Sequence, residues 1–110
     1  MVNGKTIMQI EMLDNEKMQG VVHEAADLLK IMAHSERLLV LCQLTEREIG
    51  VGELQRNSAL TQSAFSQHLT VLRKHGLIKA RKESQQVFYS LSDPKAAKLI
   101  NCLHSIYCAD

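Results

Sequence analysis

The sequence has few of the residues that break a chain into loops: of 110 residues, one is proline and five are glycine. Little room is left for linkers or low-complexity tracts, and no internal repeat is found. No apolar run approaches the roughly 18 to 20 residues that cross a bilayer. The start Met1-Val2-Asn3-Gly4-Lys5 lacks the apolar core of a secretion signal, so the expected location is the cytoplasm, away from membranes. Cysteine is scarce as well. Cys42, Cys102 and Cys108 are too few and too irregularly spaced for a secreted disulfide framework, and in a reducing cytosol they are inert fillers or reactive thiols.

What is present is an ordinary globular balance, 45% hydrophobic and 23% charged, expected to form one domain over residues 1–110 with residues 1–5 flexible. A short chain buries a small fraction of its surface, so pairing with a second copy would add burial. The net charge of +1 conceals a split: residues 51–92 carry six Lys/Arg against two Glu, and the remainder seven against ten Asp/Glu, or +4 and −3. A basic middle between acidic ends suits a domain that presents one face to phosphate, although a solvated surface would explain the charge equally.

Residues 6–18 read as a helix, after which Val22, Ala25, Ala26, Leu29, Met32 and Ala33 recur at helical spacing in a second one. Ser35 reads as the N-cap of a third helix through Leu38, Leu41 and Cys42 to about Leu44, and Thr45–Gly50 breaks it. Gly52–Asn57 reads as a short helical turn, Ser58–Leu60 as a tight connection, and Thr61 as the cap of a longer helix ending at Gly76. Two β-prone runs, 78–82 and 87–91, surround polar Glu83-Ser84-Gln85-Gln86 and should pair as a hairpin. Pro94, placed where its missing N–H costs nothing, opens a last helix to about Tyr107. The fold class is therefore mainly α with a small β-hairpin: a winged helix-turn-helix of five to six helices.

Within the long helix, Phe65, Leu69 and Leu72 share one narrow stripe, while Gln62, Ser63, Ser66, Gln67, Thr70 and Lys74 are assigned to the DNA-reading face. Short polar side chains can enter a major groove and meet base edges or phosphates. A solvated helix shows the same pattern, and it is the hairpin that tips the balance. Arg81 and Lys82, with Gln85 and Gln86 at its tip, would hold phosphate or enter the minor groove beside that helix. Double-stranded operator DNA is the expected partner. His68 lies at the edge of the apolar stripe and reads as structural.

Leu28-Leu29-Lys30, Ala33-His34-Ser35-Glu36-Arg37-Leu38, Val51-Gly52-Glu53-Leu54, Ser63-Ala64-Phe65-Ser66-Gln67-His68-Leu69, Leu72-Arg73 and Gly76-Leu77-Ile78 carry a resemblance to the ArsR/SmtB family of bacterial sensor-repressors, from about Ala26 to Cys108. The resemblance implies a winged-helix homodimer joined through its first and last helices, which releases its operator when an inducer alters the dimer. Neither familiar metal site of the family is matched. Where one has paired cysteines, this chain has Gly50-Val51-Gly52-Glu53, and after Asp93 the last helix offers the other only His104 and Asp110. No metal ligand, cofactor or catalytic residue is assigned.

Cys42 and Cys108, in the settings Val40-Leu41-Cys42-Gln43-Leu44 and Ser105-Ile106-Tyr107-Cys108-Ala109, resemble the thiol pair of the family's sulfide- and persulfide-responsive subgroup. That implies a switch in which reactive sulfur species or an oxidant joins the two thiols and weakens DNA binding. On pattern alone, Cys42 continues the Leu38, Leu41 stripe and reads as core. Cys108 lies off the stripe formed by Ala96, Ile100, Leu103 and Tyr107, and Cys102 reads as a flank-packing residue. His104, four residues before Cys108, could lower the thiol pKa or complete a soft-metal site, or be a plain surface histidine. Three alternatives stand beside the thiol switch. One is a metal-responsive repressor using Cys42 and Cys108, the second an inducer-independent activator that displaces a silencing protein. The third is an enzyme or interaction module on the same frame; for an enzyme the sequence offers no nucleophile, base and pocket set beyond Cys108 near His104.

Overall fold

The structure, a computed structural model, describes residues 14–108 and contains, in chain order, α1 (Asn15–Met32), α2 (Ser35–Gln43), β1 (Ile49–Gly50), α3 (Val51–Arg56), α4 (Gln62–Lys74), β2 (Ile78–Glu83), β3 (Gln86–Leu91) and α5 (Pro94–Tyr107). The helix expected over 6–18 falls mostly outside the described residues; its last part belongs to α1. Gly20 does not separate two helices but lies inside α1, with nothing within 4 Å of where a Cβ would stand.

The chain divides into two compact units, one ending at Lys30 and the other beginning at Ile31. In the first, α1 starts where the Asp14 carboxylate accepts from the Lys17 backbone N–H at 2.7 Å. Val21, Val22 and Leu29 of this helix are each about half exposed.

The second unit holds the core. Leu41, Leu54, Phe65, Leu72, Leu77 and Val40 are the largest fully buried side chains. All but Leu77, which lies between α4 and β2, come from positions that the helical period turns inward. α2 packs on α4 and α5, and α4 on β2. The cap of α2 is His34, not Ser35: its Nδ1 accepts from the Glu36 N–H at 3.1 Å, and Ser35 is the first helical residue. The polar side chain one step earlier reaches the second free N–H and takes the role. Thr61 caps α4 as its position suggested, Oγ1 accepting from Ala64 N–H at 3.2 Å, and Asp93 caps α5 ahead of Pro94.

The end of α4 sets where the wing begins. Gly76 has φ +78°, a conformation that side chains disfavour. Its N–H donates to Arg73 O at 3.0 Å while Leu77 N–H donates to Leu72 O at 2.9 Å, the paired bonds of a Schellman motif. Buried Leu77 then leads directly into β2.

The sheet has three strands in the order β1-β3-β2, all antiparallel. β2 and β3 form the hairpin, in register from Ile78↔Leu91 to Glu83↔Gln86, around the two-residue turn Ser84-Gln85 with Ser84 at φ 55°. Strand β1 was not anticipated. The segment 45–50 contains it, Ile49 pairing with Tyr89 and Gly50 with Phe88. Among the described residues no helix is long and apolar enough to cross a membrane.

Candidate nucleic-acid interface and thiol cleft

Helix α4 buries Phe65, Leu69 and Leu72, and Gln62, Ser63, Ser66, Gln67, Thr70 and Lys74 are all exposed. Thr70 Oγ1 donates to Ser66 O at 2.9 Å, which leaves its lone pairs free to accept. The connection from α3 is locked by side chains. Ser58 Oγ donates to Glu36 Oε1 at 2.5 Å and accepts from Leu60 N–H at 3.1 Å, while Gln55 Nε2 donates to Leu60 O at 3.2 Å. A fixed turn ahead of a rigid helix is what a groove-inserting element needs.

In the wing, Lys82, Gln85 and Gln86 are exposed. Arg81, also exposed, is already engaged. Its Nε and Nη2 donate to Glu48 at 2.7–3.2 Å, its Nη1 donates to Glu83 at 2.6 Å, and its guanidinium lies 4.9 Å from the Phe88 ring centre. Arg81 holds Glu48 below the usual carboxylate range, and Glu48 and Glu83 raise the Arg81 pKa further. Glu48 sits 33 residues before Arg81 in the chain, in the segment read as a helix break, and nothing in its neighbourhood signalled the pairing. Lys79, exposed on β2 and acting electrostatically on Glu48, was likewise not singled out.

The cysteines occupy a different part of the molecule. A cavity of about 600 Å³ opens between α2 and α5, lined by Leu38, Cys42, Thr45, Glu46, Ile100, Asn101, Leu103, His104, Tyr107 and Cys108. Cys42 is thus not a core residue: it is exposed to this cleft, because the α2 residues Val40 and Leu41 take the buried positions instead. Cys108, the C-cap of α5, opens onto the same space, its N–H donating to His104 O at 2.8 Å. Burial pushes the Cys42 thiol pKa up, and the neighbouring Cys108 adds to the shift. Tyr107 is 80% exposed, not part of a core stripe, and Cys102 is exposed without lining the cleft. Among the described residues no three His, Cys, Asp or Glu side chains are grouped to hold a metal ion.

His68 is half-buried between α4 and the start of α2. Its ring centre is 4.2 Å from that of His34, and Arg37 Nη1 lies 3.4 Å from its Nδ1. Arg37 also donates from Nε to Ile31 O at 2.6 Å.

A capped polar helix, a tight turn before it and a basic hairpin after it define a winged helix-turn-helix of the kind that regulates transcription. Residues 34–80 match the bacterial regulatory protein, arsR family. A biofilm growth-associated repressor of Xylella fastidiosa (strain 9a5c) is 41% identical over 97 residues, 88% of this chain and 85% of the relative. The transcriptional activator HlyU of Vibrio cholerae serotype O1 is 46% identical over 93 residues, 84% of this chain and 86% of the relative. The solved structure of reduced HlyU from Vibrio cholerae N16961 is similar at TM-score 0.80 and 46% identity, over 84% of this chain and 98% of that one. The chain belongs to the arsR family of bacterial regulatory proteins and is a transcriptional regulator of that type.

Proposed function

We propose that this regulator is a homodimeric repressor that reads operator DNA through α4 and the wing and releases it when Cys42 and Cys108 are joined. Gln62, Ser63, Ser66, Gln67 and Thr70 meet base edges and phosphates, and Lys74, Lys82, Gln85 and Gln86 hold the backbone on either side. Arg81 braces the wing through Glu48 while adding its charge to that face. The two copies pair through α1 and α5.

The observation that carries the switch is that Cys42 and Cys108, 66 positions apart in the chain, line one cleft. The inducer class is an organic persulfide or a comparable oxidant. Two thiols and one persulfide R–S–SH give the Cys42–Cys108 disulfide, R–SH and H₂S, so the two electrons and two protons leaving the cysteines end on the reduced sulfur. Burial raises the Cys42 thiol pKa and so makes that thiol the slower to ionise and attack. Linking the end of α2 to the end of α5 ties the layer beneath α4 to a dimer-forming helix. Half-sites about 34 Å apart tolerate little change in the spacing of the two α4 helices. A coupling of about 1 to 3 kcal/mol changes operator affinity about 5- to 150-fold.

The test is operator binding by reduced and persulfide-treated protein, with peptide mass mapping of the crosslink. Treated wild type should carry a Cys42–Cys108 link and lose affinity, and Cys42→Ser and Cys108→Ser should keep it; a wild-type response in both variants would falsify the switch. Because one relative is named an activator, a reporter in a deletion strain decides the sign. Derepression supports the repressor, whereas loss of expression supports an activator that displaces a silencing protein.

A further inference from the structure

We propose that His34 and His68 form a proton-sensitive lock between the start of α2 and helix α4, closed while both rings are neutral and opened by a single proton on either. The inference takes α4 to be the DNA-reading helix and adds a control that does not involve the cysteines.

Hydrogen bonding dictates the tautomers. His34 Nδ1 faces the Glu36 backbone N–H at 3.1 Å, and His68 Nδ1 faces Arg37 Nη1 at 3.4 Å. Backbone N–H and guanidinium groups only donate, so both Nδ1 atoms must accept and both rings carry their hydrogen on Nε2. An imidazolium has N–H at both nitrogens. Protonating His34 therefore removes the α2 cap, and protonating His68 sets an N–H against the Arg37 guanidinium. Either event also places a cation in a ring 4.2 Å from the other and beside Arg37.

The groups acting on His68 are His34, Glu36 and Arg37. Burial lowers its pKa most, His34 and Arg37 push the same way, and only Glu36 opposes them. Glu36 is also drawn toward Ser58, whose Oγ donates to its carboxylate in the connection leading to α4. Arg37 is held in place by its bond to Ile31 O, so it does not simply swing away from a charged His68. In the unfolded chain His68 takes a proton near about pH 6.5, and in the folded chain at lower pH. Between those values the unfolded state binds more protons, so stability rises with pH. The lock contributes fully above about pH 6.5 and is lost as the pH falls through the folded-state pKa.

His34→Asn tests this directly, since Asn keeps a capping oxygen but does not titrate; His68→Gln is the companion variant. Three quantities are followed from about pH 7.5 to about pH 5.5, the range in which histidine charges: melting temperature, operator affinity in anisotropy, and the histidine ring ¹⁵N shifts. Wild type should show Nε2–H tautomers at both rings at the upper pH, a falling melting temperature, and operator affinity reduced at least about 5-fold. Each variant should weaken the pH dependence of melting temperature and operator affinity, and the two substitutions together should flatten both curves. Nδ1–H tautomers at the upper pH, or the same pH curves in wild type and variants, overturn the lock. Absence of operator binding at every pH refutes DNA reading, and the ring shifts and melting curves then still decide the lock by themselves.

Discussion

Glu48 decides how much of the wing's positive charge faces outward. Its carboxylate takes two donors of Arg81, and Glu83 takes another, so one of the basic residues on the candidate DNA face has its charge offset by its own fold. Glu48→Gln removes that negative charge and leaves Arg81, protonated in any environment, ion-paired with Glu83 alone. Operator affinity should therefore increase, and the slope of log affinity against log salt should steepen by about one unit, as for one added phosphate contact. Anisotropy over a salt series reads both, and an unchanged slope would show that Arg81 only braces the wing. The same scale shows the limit of stripe arguments. Cys42 continues the apolar pattern of Leu38 and Leu41, yet it is exposed on the cleft, because residue-level periodicity says which face a side chain shares but not what covers that face.

Helix α4 shows at the element scale how much a contiguous stretch of residues can specify. Its cap at Thr61, its buried stripe of Phe65, Leu69 and Leu72, and its stop at Gly76 were all legible, since each depends on residues within one or two turns. Thr61→Ala leaves the Ala64 N–H without its partner and should cost about 1 kcal/mol, a fall in melting temperature of about 4 to 8 °C for a domain of this size. Thr61→Ser should restore most of the loss, and a thermal melt that does not separate the two variants would deny the cap. Strand β1 shows the opposite case. A two-residue strand has no period to detect, and Ile49 and Gly50 become a strand only because β3 lies alongside them some 40 positions later in the chain.

At the scale of the whole molecule, apolar side chains of α1 and α5 are exposed among the described residues. On α1, Val22 and Leu29 are seven residues apart and share one face, and Val21, Val22 and Leu29 are 51%, 54% and 50% exposed; on α5, Ile106 and Tyr107 are 65% and 80% exposed. A second copy is the cover the proposed function requires. Sedimentation should find a dimer, and Val22→Glu with Leu29→Glu should shift it to monomer. Operator affinity should fall by more than the about 1 to 3 kcal/mol of one lost base contact, because a monomer meets only one half-site. A double variant that remains dimeric would place the interface elsewhere.

Short windows of sequence were enough to specify the approximate spans of α2 to α5, two of the caps, the hairpin and the polar face of α4, since hydrophobic period, capping and turn chemistry act over a few residues. The resemblance carried by those same windows supplied the family. Folding alone settled that Glu48 meets Arg81, His34 meets His68 and β1 meets β3, and it set Cys42 and Cys108, already paired by the resemblance, on one cleft. These pairs are separated by 33 to 66 positions in the chain. Their encounters follow from how α2, α4, α5 and the sheet pack around one core, and no local periodicity encodes that packing.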